Sequence, residues 1–317
     1  MSKQAKIFID GAAGTTGLEI RERLEGRQGL SLISLSDAER KDAAARKGAL
    51  NSADLVILCL PDEAAREAVS LIDNPQVRVI DASSAHRVAE GWTYGFAELE
   101  PDGYQRIAAA KRVSNPGCWP TGFLAIMRPL VRAGLVPPDF PVSTGGVSGY
   151  SGGGKSMIAE FEDKASAGYT QTVSRIYGLG LNHKHIPEMQ KHSGLAHPPL
   201  FEPSVGRFYR GMLVEVPLQL WALPAKPGPR DIHAALVKAY PERPLVKVAS
   251  LEDAAAAKTL DAEILAGGNG LTLYVFANEK AAQARVVAVF DNLGKGAGGA
   301  AVQNLNIMLG LPETTGL

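Results

Sequence analysis

The chain is poor in the features that would take it out of an ordinary soluble fold. It has only two cysteines among 317 residues. Cys59 and Cys118 are too few for a disulfide framework, and no C-x-x-C or paired Cys/His spacing suggests zinc, so reduced thiols, a cytoplasmic setting and no metal are expected. Charge of either sign is not in excess: 33 Lys plus Arg stand against 33 Asp plus Glu, a net charge of +0. Nothing is left over to hold nucleic acid or an anionic membrane by long-range attraction. No run approaches the ~18 consecutive apolar residues of a membrane span. The start, MSKQAKIFIDG, has too short an apolar run before Asp10 to form a signal-peptide core. Internal repeats and low-complexity linkers are also lacking, so partners are sought in local sites for small molecules.

What is present fits a two-domain globular chain. The length is about twice the ~150 residues of a comfortable single domain. With 45% hydrophobic and 21% charged residues, a chain of this size buries roughly 75% of its unfolded surface. In the first hundred residues, short apolar runs at 6–10, 30–35, 54–60 and 77–81 read as strands. They alternate with the amphipathic stretches GLEIRERLEG and DEAAREAVSLI, the second opened by Pro61-Asp62, which is the pattern of a doubly wound parallel sheet. The segment SNPGCWPTGFLAIMRPLVRAG predicts a helix from near Pro120, where a first-turn proline is tolerated, to Gly134. Beyond residue 140, long strands at 207–221 and at 271–276 joined to 284–290 through ANEKAAQ predict a largely antiparallel sheet in an α+β domain. The alanine-rich stretch 296–309 predicts a helix that returns to the first domain. The expected division is 1–117 plus 296–317 for a Rossmann-type domain, and 118–295 for a catalytic and oligomerisation domain.

Gly11, Gly14 and Gly17 stand in G-x-x-G-x-x-G spacing between the first strand and a helix. There, backbone amides and the positive helix end can meet a pyrophosphate, so a dinucleotide is expected. At the end of the second strand, Ser36 and Arg40 favour a 2′-phosphate and hence NADP(H), while Asp37 keeps NAD open. A second loop, Gly149 to Ser156, satisfies G-x-x-x-x-G-K-S. No later strand offers a magnesium-holding aspartate in a parallel unit, which argues against a triphosphatase. Lys155 and the loop amides suit a phosphoryl group on a small substrate instead.

Cys118 lies in the turn before the helix near Pro120, where the helix dipole favours a thiolate. Cys59, inside VILCLP, reads as a small buried apolar residue. A thiolate nucleophile needs a proton partner. His183 and His185 in NHKHIPE fall on one side of an extended segment, and a third metal ligand is lacking. The glycine-rich approach favours His183 as acid-base, with His185 bracing it through the Pro187-Glu188 turn. The remaining histidines read as surface or loop residues.

Together, GAAGTTG, SNPGCWPTG, SGYSGGGK, NHKHIPEM, RGMLVEVPL and DNLGKGAGGAAVQNLN resemble the N-acetyl-γ-glutamyl-phosphate reductase family in its shorter type, from residue 6 to about 309. Two departures are modest: GAAGTTG where many relatives have GASGYTG, and Trp119 where tyrosine is common. The resemblance implies NADPH-dependent reduction of N-acetyl-glutamyl 5-phosphate to the 5-semialdehyde in arginine biosynthesis, by a homo-oligomer, dimer or tetramer. It aligns Cys118 with the nucleophile and His183 or His185 with the histidine pair. Cofactor contacts are expected from Gly11, Gly14, Thr15, Thr16, Gly17, Ser36, Arg40 and Asn292. Substrate contacts are expected from Asn115, Lys155, Arg207 and Arg210, because a small dianion on a neutral protein needs local cations. An aspartate-semialdehyde dehydrogenase and a non-catalytic NADP-binding regulator are the alternatives.

Overall fold

A computed structural model describes residues 4–317. The chain divides into two compact units, one of Met1–Ala97, Asp102–Pro116 and Ala297–Leu317, the other of Glu98–Pro101 and Gly117–Gly296. The short Glu98–Pro101 stretch goes with the second unit for an electrostatic reason. The Glu98 carboxylate accepts from the buried Lys295 Nζ at 2.7 and 2.9 Å, and Glu100 pairs with Arg128 at 2.5 Å and Arg132 at 3.1 Å. A buried lysine without its carboxylate would be an uncompensated charge costing about 3–5 kcal/mol.

The first unit is a six-stranded parallel sheet with β1 (Ala5–Asp10), β2 (Leu30–Ile33), β3 (Leu55–Leu58), β4 (Arg78–Asp81), β5 (Thr93–Tyr94) and β6 (Arg112–Ser114) in the order β2-β1-β3-β4-β6-β5. Helices α1 (Thr15–Leu24), α2 (Ala43–Ser52), α3 (Asp62–Ser70), α4 (Gly103–Ala109) and the C-terminal helix Gly299–Met308 cover it. Its strands are continuous apolar runs because both faces are covered. Along β3, Leu55 and Ile57 pack with Ile20 of α1, Ile107 of α4 and Leu305 of the terminal helix. Val56 and Leu58 face the other way, onto Leu50 of α2 and Ala65 of α3. The terminal helix enters through a π-helical turn at Gly294–Gly298. Arg78 closes two helix ends at once, donating to Ile107, Ala108 and Ala110 carbonyls after α4 and to the Met308 carbonyl. Strand order reverses at β1, since the chain runs from β1 out to β2 and then crosses to β3 on the other side. Ligands bind outside the strand ends at such a switch point.

The second unit opens with α5 (Cys118–Arg132), which starts at the cysteine itself, so Pro120 is its third residue, and which Gly134 (φ +71°) ends. Next come β7 (Ser143–Gly149), α6 (Gly154–Glu162), β8 (Ser174–Ile176), α7 (Ile186–Ser193), β9 (Leu200–Gly206) and β10 (Met212–Gln219). α8 (Pro229–Ala239), β11 (Val246–Val248), α9 (Leu251–Ala256), β12 (Leu271–Asn278) and β13 (Gln283–Phe290) complete it. The sheet order is β11-β12-β13-β10-β7-β9-β8, parallel only at β11–β12 and β7–β9. The run expected as one strand at 207–221 forms β10 only from Met212. Before it, Arg207 turns onto carbonyls, and Gly211 takes φ +110° against the Ala262 carbonyl. α5 lies directly on the sheet, because a Cβ at Gly122 would stand 2.6 Å from Val214 and 2.8 Å from Phe290. Its Phe123, Leu124, Ile126, Met127 and Leu130 are fully buried, each contributing about 1.5–3 kcal/mol by burial.

Candidate active site

The glycine loop between β1 and α1 is held by close backbone contact. Gly11 has φ +88°, and a Cβ there would stand 2.3 Å from the Cys59 carbonyl oxygen at the end of β3. A Cβ at Gly17 would stand 2.4 Å from the Gly11 carbonyl. Gly14 differs: its nearest atom would be 3.5 Å away, so its open face is the one a ligand can approach. Gly14 is also the N-cap of α1 with no side-chain cap and no acid in the first turn, leaving the amides at Thr15, Thr16 and Gly17 to face an anion.

Beside this loop lies a cavity of about 310 Å³ lined by Gly11 and Ala12, by Ser34 and Leu35 past β2, and by Arg21, Arg40 and Arg46. Three cations and only one carboxylate, Asp10, face it. Asp37, the acid that kept NAD open, is not among the lining residues; its side chain is 92% exposed and pairs with Arg40 at 3.2 Å. Ser36 is turned from the cavity, with its N–H and Oγ both donating to Glu39 at 2.7 Å, which holds that carboxyl below its ordinary range. Ser34 takes the lining position expected of Ser36, because β2 stops at Ile33. Arg46, which the sequence did not single out, donates Nε to the Asp10 carboxylate at 2.8 Å, while its buried Nη2 has no protein partner. Open first-turn amides, a bare glycine face and an orphaned guanidinium nitrogen fit a phosphorylated dinucleotide.

In the second unit, Cys118 is the first residue of α5. Its N-cap Gly117 has no side-chain cap, and no acid stands in the first turn. The Gly117 N–H donates to Glu188 Oε1 at 2.8 Å, so a fully buried carboxylate on α7 fixes the turn that presents the thiol. In the sequence Glu188 stood only as the carboxylate of the turn beside the histidine pair; its place three residues after His185, across one helical turn, is the signal for the contact it makes. His185 is buried as the N-cap of α7, and its N–H donates to His183 Nδ1 at 3.2 Å. His183 packs edge-on against Tyr177 at 5.9 Å and Phe201 at 5.3 Å. Gly296 closes in, since a Cβ there would stand 2.9 Å from Cys118 Cβ. Cys59 shares none of this: burial first, then the charges of Asp81 and Asp10, push its thiol up to about 12.

Several of the expected ligand contacts also have protein partners. Asn115 is buried, with Nδ2 donating to the Ala297 carbonyl at 2.9 Å and Oδ1 accepting from Asn304 at 3.1 Å. Arg207 donates to the Thr172, Phe161 and Thr170 carbonyls and lies over the Phe161 ring. Arg210 pairs with buried Asp291 at 2.5 Å. Asn292 accepts from Gly211 N–H at 2.8 Å and donates to Ser151 Oγ at 2.9 Å, stitching loops of the second unit together. Lys155 stays exposed in the first turn of α6. The loop before it does run from strand to helix, but the parallel neighbour of β7 is β9, LFEPSVG, which has no aspartate for magnesium. Among the described residues no group of three or more His, Cys, Asp or Glu is placed to hold a metal, and no helix is long and apolar enough to cross a membrane.

A parallel dinucleotide-type sheet with a glycine loop, joined in one chain to a mixed-sheet unit that presents a cysteine at a helix start, defines a dehydrogenase of the semialdehyde class. The family models agree: the semialdehyde dehydrogenase NAD-binding domain matches residues 6–107, and the semialdehyde dehydrogenase dimerisation domain matches 118–292. Aspartate semialdehyde dehydrogenase II of Vibrio cholerae superposes with a TM-score of 0.73 at 15% identity, covering 97% of this chain and 99% of that one. The Candida albicans enzyme, solved with NADP, gives 0.67 at 13% identity, covering 96% and 98%. At such identities the likeness is one of fold. N-acetyl-gamma-glutamyl-phosphate reductase of Trichormus variabilis is 53% identical over 98% of this chain and 99% of its own length. The Brucella ovis protein of the same name is 52% identical over 96% and 99%. The chain belongs to the N-acetyl-γ-glutamyl-phosphate reductase family.

Proposed function

We propose that this protein reduces N-acetyl-L-glutamyl 5-phosphate to N-acetyl-L-glutamate 5-semialdehyde with NADPH, releasing phosphate, as a step of arginine biosynthesis. The observation that carries this reading is Cys118 at the uncapped start of α5, held there by Glu188 through Gly117. The thiolate attacks the acyl carbon, a C–S bond forms, and the C–O bond breaks with its electron pair leaving on phosphate. NADPH, when bound, supplies the hydride that reduces the thioester carbon. The tetrahedral alkoxide then collapses, returning the C–S electrons to sulfur as the aldehyde leaves, and phosphate takes its proton from solvent. Backbone amides in the first turn of α5 stabilise the oxyanion.

The proton partner is His185 rather than His183. His183 Nδ1 is occupied as an acceptor of the His185 N–H. His185 starts the helix whose Glu188, one turn on, reaches the cysteine turn. It takes the thiol proton before attack and returns it when the C–S bond breaks. The cofactor is cradled by Gly14 and the first-turn amides of Thr15, Thr16 and Gly17, with Arg40 and Arg46 at the 2′-phosphate. The second unit, with Val173, Ile176 and Leu179 about three-quarters exposed, carries the contacts of a homo-oligomer that light scattering would size, and the enzyme works in the cytoplasm.

The direct test runs the reaction backwards. Purified protein with N-acetylglutamate semialdehyde should reduce NADP only when phosphate is present. Equal or faster turnover of aspartate semialdehyde would overturn the substrate assignment.

A further inference from the structure

The turn that lies against Cys118 is held by a buried charge pair that the mechanism above does not use. The π-helical turn Gly294–Gly298 follows β13. A Cβ at its Gly296 would lie 2.9 Å from Cys118 Cβ, 3.2 Å from the Asp291 carbonyl oxygen and 3.2 Å from the Phe290 ring. Only a bare main chain fits between them. The buried Asp291 carboxylate fixes how the turn begins, with one oxygen accepting the Leu293 and Gly294 N–H groups at 2.8 and 3.0 Å. Its other oxygen takes Arg210 Nε and the Gly267 N–H, and the Gly296 N–H donates to the Asp291 carbonyl at 2.9 Å.

Within the turn itself, GKGAG, the only long side chain is Lys295. It is 2% exposed, and its Nζ donates to both Glu98 oxygens at 2.7 and 2.9 Å. Glu98 is 2% exposed as well, so the pair is shielded from water and bonded twice. Exposed pairs are loose because water competes; a desolvated pair with two charge-assisted hydrogen bonds is directional. Glycine has the most backbone freedom to lose, so the one anchored side chain sets where the Gly296 main chain sits. That main chain, standing against Cys118 Cβ, in turn limits the staggered positions open to the sulfur.

We propose that Lys295 and Glu98 are positioning residues: their ion pair clamps the π-helical turn, which keeps the Gly296 main chain against Cys118 and holds the thiol in the rotamer from which it attacks. No bond or proton passes through the pair. Confinement of the thiol needs only this geometry, whereas its value to turnover rests on the covalent reaction assigned above.

The test compares Lys295→Met with the double variant Lys295→Met, Glu98→Leu. The readouts are melting temperature, iodoacetamide alkylation of Cys118 in a Cys59→Ala background, and kcat and KM. Lys295→Met leaves a buried carboxylate unpaired and should melt lower. Removing both charges should restore most of the melting temperature, since a packed apolar pair is about as stable as a buried ion pair. With the direction lost, the double variant should still alkylate ~3- to 10-fold faster and lose ~10-fold in kcat at little-changed KM. Gly296→Ala, whose Cβ would meet Cys118 directly, should cost ~10²-fold in kcat. A kcat that recovers together with the melting temperature overturns the proposal, because the pair is then structural only. An unmoved alkylation rate in the double variant, or near-normal turnover in Gly296→Ala, overturns it too. If the double variant does not fold, Glu98→Gln, which keeps the shape and one acceptor, should show the same two shifts at smaller size, and their absence there overturns the proposal equally. A moved alkylation rate in a protein inactive on the acyl phosphate would remove the substrate assignment and leave the clamp standing.

Discussion

The turn before α1 and the turn before α5 are the same physical device. Each ends a strand-side segment on an N-cap glycine, Gly14 or Gly117, with no capping side chain and no acid in the first turn. Each therefore leaves a helix start ready to meet negative charge. They differ in what occupies the first helical position and in what holds the turn. Before α1 the position is Thr15, and the turn is fixed by glycines pressed on backbone, Gly11 on Cys59 and Gly17 on Gly11. Before α5 the position is Cys118, and the turn is fixed by a side chain from another helix, Glu188. The first arrangement offers backbone to a phosphate; the second offers a sulfur nucleophile. Under the proposed mechanism one motif of local structure serves binding in one unit and covalent chemistry in the other, and the first helical residue decides which.

Cys118→Ser should separate them most sharply, abolishing turnover by at least ~10³-fold while leaving NADP affinity intact, because a hydroxyl does not ionise near neutral pH at a helix end. Residual activity above a tenth of wild type would remove the covalent route. Next in size, His185→Ala should cost ~10²- to 10⁴-fold in turnover with an altered pH profile, and His183→Ala distinctly less. The reverse order would return the acid-base role to His183; near-normal rates in both would place it on water or on the departing phosphate.

The loop before α1 allows a split between binding and folding. Gly14→Val should weaken cofactor binding by ~10²-fold at nearly unchanged melting temperature, since its face is open to a ligand and not to protein. Gly11→Ala and Gly17→Ala should instead lower the melting temperature, as their Cβ atoms would stand 2.3 and 2.4 Å from carbonyl oxygens. Calorimetry with and without NADP reads both effects, and a stability loss at Gly14 would break the distinction. Smaller again, Arg40→Ala and Arg46→Ala should each weaken NADP more than NAD, by ~10-fold for a lost charged hydrogen bond. Equal losses for the two coenzymes would take the 2′-phosphate away from that cavity.

The smallest effect concerns the other thiol. Cys59 holds its proton to about 12 in the folded chain, whereas an unfolded cysteine releases it near ~8.5. Between those values the unfolded state binds fewer protons, so stability falls as pH rises. Cys59→Ala should flatten that alkaline limb in urea titrations, and in native protein at neutral pH only Cys118 should take up a thiol label.

Much of this was readable along the chain because it is local. Alternation of apolar runs and helices marked the parallel sheet, and glycine spacing marked the loop before α1. A lone cysteine in a turn before a helix marked the sulfur that stands at the start of α5. Other side chains named as candidate contacts also meet protein groups, one of them three residues away and the rest farther along the chain. Ser36 closes on Glu39 rather than on the cavity. Asn115 reaches Ala297 and Asn304, and Asn292 reaches Ser151 and Gly211. Arg207, an expected anion contact, gathers carbonyls from residues 161–172.

By itself, then, the sequence determined the class of chemistry: which segments are strand and helix, where an anion can meet bare backbone, and which sulfur lies at a helix start. These depend on periodicity, glycine and neighbours a few residues apart. Only the tertiary structure decided the partners. Glu188 is 71 residues from the turn it holds, and Arg46 is 36 residues from Asp10. Hydrogen bonds act over about 3 Å of space, and no spacing along the chain reports which distant atoms the folded backbone will bring that close.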